Sequence, residues 1–195
     1  MYTRKGADEV SWFQPHLGTS LDLIRGLGLA SSARLIDIGG GASTLVDDLL
    51  EDGFADVTVL DLSARALEAS QRRLGERARS VTWLVEDITT ADLGEAQYEL
   101  WHDRAVFHFL TDPQARRAYV STALRALAPG GHIIVATFGT HGPEQCSGLD
   151  VVRYDADGLH AEFGPAFEKV RSSTESHTTP WGSEQEFVYC YCRRR

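Results

Sequence analysis

A strand-like segment followed by three consecutive glycines is the feature that most constrains how this chain can fold. The apolar run Leu35–Ile38 is typical of a buried parallel strand, and it leads directly into the glycines at 39–41. Residues 43–44 can cap the amphipathic segment 45–50 as a helix. Strand, glycine turn and helix form the first half of a nucleotide-binding βαβ unit, in which glycine lets the backbone approach a ligand closely.

The spacing around these glycines separates two kinds of nucleotide-binding pattern. Gly39 and Gly41 fit the first two positions of the dinucleotide fingerprint G-x-G-x-x-G, but Thr44 stands at its third glycine. Asp37, two residues before the first glycine, instead resembles the D-x-G-x-G-x-G motif of class I methyltransferases that use S-adenosylmethionine (SAM). Ser43 takes the place of the third glycine of that motif. On this motif alone, a tight strand-to-helix turn in another α/β protein is the alternative.

Composition limits the classes of protein that remain. The 195-residue length and 43% hydrophobic content predict a single domain, 1–195, in which residues 1–30 form an N-terminal cap segment and helix. The net charge of −9 argues against a nucleic-acid partner. No apolar run reaches the roughly 18 residues of a membrane span, and the N-terminus lacks the apolar core of a signal peptide. Three cysteines, an odd number, indicate reduced thiols and a cytoplasmic location.

Three further motifs follow in the order that this family shows. Asp61 ends a second predicted strand, 56–61, where a carboxylate can accept two hydrogen bonds from a ribose diol. Asp87 follows a third predicted strand. The sequence L-A-P-G-G at 127–131 resembles the L-x-P-G-G turn before the family's fifth strand. Over nearly its whole length, the chain resembles a class I SAM-dependent methyltransferase, and an NAD-dependent oxidoreductase is disfavoured by the missing third glycine.

The resemblance implies an α/β fold, a Rossmann-like, doubly wound, seven-stranded sheet of order 3-2-1-4-5-7-6 with strand 7 antiparallel. The residue pattern predicts the last two strands at 167–173 and 185–192, and a long polar loop at 139–154. Cys190 and Cys192 alternate on the last strand, so both are expected to point to one buried face.

The resemblance also implies SAM as cofactor and S-adenosylhomocysteine as product. It places the glycines along the methionine moiety, Asp61 on the ribose, and Asp87 with Ile88 at the adenine. Asp37 would orient the glycine loop or reach the methionine amine through water. The predicted cofactor-binding residues are Trp12, Asp37, Gly39, Gly40, Gly41, Asp61, Leu62, Asp87, Ile88 and His102. No metal site is predicted.

The end of the fourth predicted strand carries a cluster of polar residues among aromatic ones. Segment 103–108 resembles the D-K-G-T-x-D segment of a subgroup that includes protein-lysine methyltransferases, but only Asp103 is retained. His108, with His102 as the alternative, is the candidate general base, because imidazole titrates near neutral pH, and Asp103 could orient the base or the substrate. The acceptor is predicted to be a small molecule, with a protein lysine and a non-catalytic SAM-binding partner protein as alternatives. A monomer or weak homodimer is expected.

Overall fold

The computed structural model describes residues 14–195, so the predicted cofactor contact of Trp12 lies outside the described residues. The helices are α1 (Gly18–Gly26), α2 (Leu45–Glu51), α3 (Ala64–Leu74), α4 (Pro113–Ala126) and α5 (Ala156–Phe163). The strands are β1 (Arg34–Ile38), β2 (Asp56–Asp61), β3 (Val81–Val85), β4 (Tyr98–Arg104), β5 (Leu127–Phe138), β6 (Gln145–Cys146), β7 (Leu149–Asp150), β8 (Phe167–Thr178) and β9 (Glu184–Arg194). None of the helices between residues 14 and 195 has the length and apolar character needed to cross a membrane.

Seven strands form one mixed sheet in the order β3-β2-β1-β4-β5-β9-β8. Strands β1 to β5 pair in parallel, whereas β9 is antiparallel to both β5 and β8. Parallel neighbours require crossover connections, which α2, α3 and α4 provide between β1 and β2, β2 and β3, and β4 and β5. The predicted Rossmann-like sheet, with its last strand in sequence antiparallel, is therefore confirmed.

Consecutive strand residues enter two apolar cores on opposite faces of the sheet. Leu35 and Leu100 pack in the core that includes α1, α2 and α3, whereas Ile36 and Trp101 pack in the core that includes α4 and α5. Trp101 is fully buried, and its Nε1–H donates to the Tyr119 hydroxyl at 2.8 Å. Because helices cover both faces, a ligand reaches the sheet at the carboxyl ends of the parallel strands.

Two segments differ from the sequence-based expectation. Strand β8 continues to Thr178, five residues beyond the predicted end. The sequence did not indicate this extension, because β8 is an edge strand whose exposed Ser, Thr and Glu side chains show no hydrophobic alternation. The predicted loop 139–154 contains a small hairpin of β6 and β7, whose turn places Ser147 at φ 59° and Gly148 at φ 79°. In both places the structure depends on pairing partners that a local hydrophobic pattern does not reveal.

Candidate functional site

A cavity of about 560 Å³ opens at the carboxyl ends of strands β1 to β4. Its volume lies in the range of roughly 300–1,000 Å³ that is usual for small-molecule sites. Eight of the ten predicted cofactor-binding residues line it: Asp37, Gly39, Gly40, Asp61, Leu62, Asp87, Ile88 and His102. Gly41 lies behind Asp61 rather than on the lining.

The glycine turn after β1 is packed too closely for side chains. A Cβ atom on Gly40 would overlap Asp37 Oδ2 and lie 2.7 Å from Val59 Cγ1, and one on Gly41 would overlap Asp61 Oδ2. Gly39 has a φ of 69°, and a Cβ atom there would overlap the side chain of Val106. The turn therefore brings the bare backbone of Gly39 and Gly40 to the cavity wall and packs closely against the carboxylates of Asp37 and Asp61.

We expect Gly40→Ala to lower the free energy of unfolding by about 1–3 kcal/mol, because the added methyl group overpacks a site bounded by buried Asp37 and Val59. Gly26→Ala is the matched control, since a Cβ atom at this last residue of α1 meets no atom within 4 Å. Chemical denaturation of both variants measures the difference. Equal stabilities of the two variants would contradict the close packing of the turn.

Asp37 belongs to the cavity lining, and a hydrogen bond to His102 holds one of its carboxylate oxygens. The Nδ1–H of His102 donates to Asp37 Oδ1 at 2.7 Å, and His102 Nε2 lies 2.8 Å from the Ser20 hydroxyl oxygen. Asp37 is 3% exposed, and its Oδ2 has no hydrogen-bond partner among residues 14–195. This oxygen is buried against Gly40, so Asp37 acts on a ligand through its negative charge, which favours a cationic group beside it at the cavity lining.

Asp61 ends β2 and is half-buried at the cavity wall. Its Oδ1 accepts the backbone N–H of Ser63 at 2.7 Å, and the backbone N–H of Gly41 also bonds to this carboxylate. Burial raises the pKa of the Asp61 carboxyl above its ordinary value, and these two backbone donors partly offset that rise. The remaining acceptor capacity of the carboxylate is available to a ligand hydroxyl.

The residues after β3 and β2 form a wall that is apolar with a polar edge. Ile88 is buried in the wall, whereas Leu62 is 72% exposed although it lines the cavity. Asp87 is exposed, and its Oδ1 accepts both the N–H and the hydroxyl of Thr89, at 2.9 and 2.7 Å. Two aliphatic side chains beside a fixed carboxylate can bind a flat ring that carries an amino group.

Asp103 does not line the cavity; its side chain holds the turn that follows β4. The carboxylate is fully buried and accepts the N–H groups of Val106 at 2.9 Å and Phe107 at 3.1 Å and the Tyr119 hydroxyl at 2.6 Å. Burial raises its pKa to about 6. These bonds fix the turn after β4, in which Ala105 holds a φ of 72° where the resembling motif has glycine.

His108 also lies away from the cavity lining, in a fully buried position. Its Nδ1 accepts the N–H of Phe138 at 3.3 Å, and its ring contacts the rings of Phe109 and Phe138. Burial and the nearby guanidinium of Arg104 lower its pKa to about 3. The imidazole is therefore neutral at physiological pH, and this placement does not support the predicted role of His108 as a general base at the cavity.

Several wall residues were not predicted from the sequence. Gln14 and Leu17 precede α1, and Ser147 and Leu149 come from the β6–β7 hairpin. The Ser-Gly pair at 147–148 is a turn signal that could have revealed the hairpin, but nothing local indicates that the hairpin reaches the cavity.

Arg104, also on the wall, is anchored from behind. Its Nε–H donates to the Tyr189 hydroxyl at 3.2 Å, its Nη2 lies 3.4 Å from Glu175, and its guanidinium stacks 4.1 Å from the centre of the Phe187 ring. These contacts join the end of β4 to the β8–β9 hairpin.

Comparisons with known proteins agree with this architecture. The family described as "Methyltransferase domain" matches residues 35–131, about half of the chain. Nodulation protein S of Rhizobium tropici is 27% identical over 124 residues, which cover 64% of this chain and 50% of that protein. EEF1A lysine methyltransferase 2 of Danio rerio is 24% identical over 149 residues, covering 73% and 58%. The chain thus spans only about half the length of these curated relatives.

A solved structure shares the fold over most of the chain. It is the 1,6-didemethyltoxoflavin-N1-methyltransferase of Burkholderia thailandensis, with a TM-score of 0.69 and 23% identity over 91% of this chain and 77% of that one. The matched family segment begins at β1 and ends at the Pro-Gly-Gly turn of β5, so it contains the glycine turn and the ends of β1 to β4. Together with the sheet order, this match shows that the chain belongs to the class I SAM-dependent methyltransferases.

Proposed function

We propose that this protein transfers a methyl group from SAM to a small-molecule acceptor and releases S-adenosylhomocysteine. The observation that carries the proposal is a single cavity whose lining includes the buried residue Asp37, the bare backbone of Gly39 and Gly40, and Asp61. One carboxylate suits the ammonium group of a methionine moiety, and the other suits a ribose diol.

The remaining wall residues fit the rest of the donor. Bare backbone at Gly39 and Gly40 leaves room for the methionine chain. Leu62 and Ile88 offer apolar surface for the adenine ring, and Asp87 offers a carboxylate for its amino group. Covering the highly exposed Leu62 also favours binding through removal of apolar area from water.

The sulfonium of SAM supplies a methyl group that is already activated for in-line displacement. The contribution of this chain is therefore alignment and exclusion of water. His102 orients Asp37, and because both of its ring nitrogens are engaged, it acts as a positioning residue. Asp103 holds the turn that carries Ala105 and Val106 on the wall. Ser147 and Leu149 narrow the opening from the hairpin side.

The charges on the described wall favour a small-molecule acceptor over a lysine side chain. The acidic residues other than Asp37 follow β2 and β3, where the adenosine would bind, whereas β4 contributes the guanidinium of Arg104. The Arg104 side chain is only 4% exposed and pairs with Glu175, so the β4 side of the described wall adds no carboxylate for an acceptor ammonium. Among the similar proteins, one methylates 1,6-didemethyltoxoflavin and another is a lysine methyltransferase.

Donor binding is tested by titrating S-adenosylhomocysteine into the wild type, Asp61→Asn and Asp61→Ala in a calorimeter. We expect Asp61→Ala to weaken binding by about 1.5–3 kcal/mol, because a charge-assisted contact to the ribose is lost. Asp61→Asn keeps one oxygen acceptor and should lose less. Asp56→Asn is the control, since Asp56 is exposed at the opposite end of the same strand. Wild-type protein that is folded but does not bind would overturn the proposal.

The acceptor class is tested with radiolabelled SAM and a cell extract that is separated into a protein fraction and a low-molecular-weight fraction. We expect enzyme-dependent label in the low-molecular-weight fraction, and little of it with Asp61→Ala at limiting SAM. Label in a discrete protein band would support the lysine alternative instead. Donor binding without label in either fraction would support a non-catalytic SAM-binding partner protein.

A further inference from the structure

Two thiols on β9 lie unusually close together, away from the cavity. Cys190 and Cys192 point to the same face of the strand, and their sulfur atoms are 3.2 Å apart. Each residue is about 1% exposed, in the apolar core that includes α5. Neither lines the cavity, and methyl transfer as proposed above uses neither of them.

We propose that Cys190 and Cys192 form a dithiol site that reacts with hydroperoxides and closes to an intrachain disulfide. This site is independent of the methyl-transfer proposal, because its residues, its reactant and its test are different.

The surroundings of the pair assign different roles to the two sulfurs. The sulfur atoms of Cys190 and Cys192 share a hydrogen bond, and this bond together with the ammonium of Lys169 lowers the pKa of Cys190. Burial and the bond to Cys190 raise the pKa of Cys192. Cys190 is therefore the sulfur with thiolate character that attacks the peroxide, and Cys192 is the resolving thiol.

The neighbouring edge strand offers a route for a small oxidant. Lys169 is the β8 partner of Cys192, and the register between β8 and β9 shifts between Lys169 and Arg171. A bulge of this kind interrupts the ladder at Val170, which is 52% exposed and follows the β8 partner of Cys192 in sequence. Hydrogen peroxide is close to water in size, so a small local opening at the bulge admits it.

The reaction balances without any further reactant. The Cys190 sulfur attacks one peroxide oxygen, an S–O bond forms, the O–O bond breaks, and the leaving hydroxide takes the Cys192 proton to give water. The Cys192 sulfur then attacks the sulfenic sulfur, the S–S bond forms, the S–O bond breaks, and the departing hydroxide takes up the proton that Cys190 released on ionisation and leaves as water. One dithiol is oxidised by two electrons and one peroxide is reduced to two waters.

Strand geometry makes this disulfide reversible. Residues two apart on a strand have Cα atoms about 6.6–6.8 Å apart, which is the upper end of the roughly 4.4–6.8 Å that disulfides span. The closed form is therefore strained, and strained disulfides are readily reduced by thiols. We expect dithiothreitol to restore the dithiol fully.

The test uses the folded, full-length protein, treated with a small excess of hydrogen peroxide, then denatured, alkylated and digested with trypsin. Both cysteines fall in the peptide 172–193, whereas Cys146 falls in the peptide 126–153 and serves as an internal control. We expect peptide 172–193 to lose two hydrogens and become resistant to alkylation while Cys146 is alkylated as before. Two alkylated cysteines, or sulfinic and sulfonic acids in place of the disulfide, would overturn the proposal.

Single substitutions then distinguish the two sulfurs. In Cys192→Ser, the sulfenic acid of Cys190 has no resolving thiol and should be trapped by dimedone. Cys190→Ser should give no trapped product, and Cys146→Ser should close the disulfide as the wild type does. Equal dimedone labelling of both single variants would contradict the assigned roles. If either variant does not fold, the wild-type peptide map alone decides the proposal.

Discussion

Replacing Asp103 by alanine should lower the free energy of unfolding by more than about 3 kcal/mol. The carboxylate accepts the N–H groups of Val106 and Phe107 and the Tyr119 hydroxyl, all within a fully buried pocket. Each donor left without a partner costs about 1–3 kcal/mol. Equilibrium denaturation in urea measures the loss directly.

The Asp103→Asn variant distinguishes a structural role of this residue from a catalytic one. Asp103→Asn keeps a carbonyl oxygen to accept from the turn, and we expect it to recover part of the lost stability. If Asp103 only supports the turn after β4, the folded asparagine variant should bind S-adenosylhomocysteine and transfer methyl groups at rates close to those of the wild type. Full stability combined with abolished turnover would instead support the catalytic role predicted from the sequence.

Acid should destabilise the protein through His108 by about 5 kcal/mol between pH 6.5 and pH 3. Burial lowers the folded-state pKa of this imidazole to about 3, whereas the unfolded chain binds a proton near pH 6.5. Within this pH window the unfolded state binds more protons than the folded state. The contribution of neutral His108 to the unfolding free energy is therefore fully present above pH 6.5 and is lost as the pH falls. At each pH, the difference in unfolding free energy between wild type and His108→Asn isolates this contribution.

The comparison with a variant is needed because titration of Asp103 changes the unfolding free energy in the opposite direction over part of the same pH range. Its folded-state pKa of about 6 lies above the ordinary value of 3.8, so its contribution is present at low pH and is lost as the pH rises from about 4 to 6. Asparagine at 108 keeps an acceptor for the N–H of Phe138. His141→Asn, at an 85% exposed side chain, is the control and should show no comparable trend. A pH-independent difference for His108→Asn would contradict the buried neutral imidazole.

Sequence reasoning was most reliable where one local pattern carries both structure and chemistry. β2 has the predicted bounds, and the ends of β1, β2 and β3 bring Asp37, Asp61 and Asp87 to one cavity, as parallel strands require. It did not predict that Asp103 and His108 are fully buried, and their catalytic roles stay predictions. Polar residues beside aromatic ones after β4 suggest a reactive cluster, but the partners that bury them, Tyr119 and Phe138, are distant in sequence.

The same limit explains the residues that were not foreseen on the wall. The sequence could not show that Leu149 reaches the cavity, because its position depends on how the β6–β7 hairpin folds back. Nor could it show that Glu175 and Tyr189 brace Arg104, because β8 was predicted to end at 173. Each of these features depends on contacts between distant parts of the chain.

The wall of the cavity is assembled from separate stretches of sequence, and this has an evolutionary consequence. In the proposed function, residues 37–89 supply the surfaces for the donor, whereas residues 14–17, 102–115 and the hairpin at 145–150 line the other side. Selection can therefore alter the second set while the first stays constant. Gene duplication followed by drift in the hairpin alone would give paralogues that share one donor and differ in what they methylate.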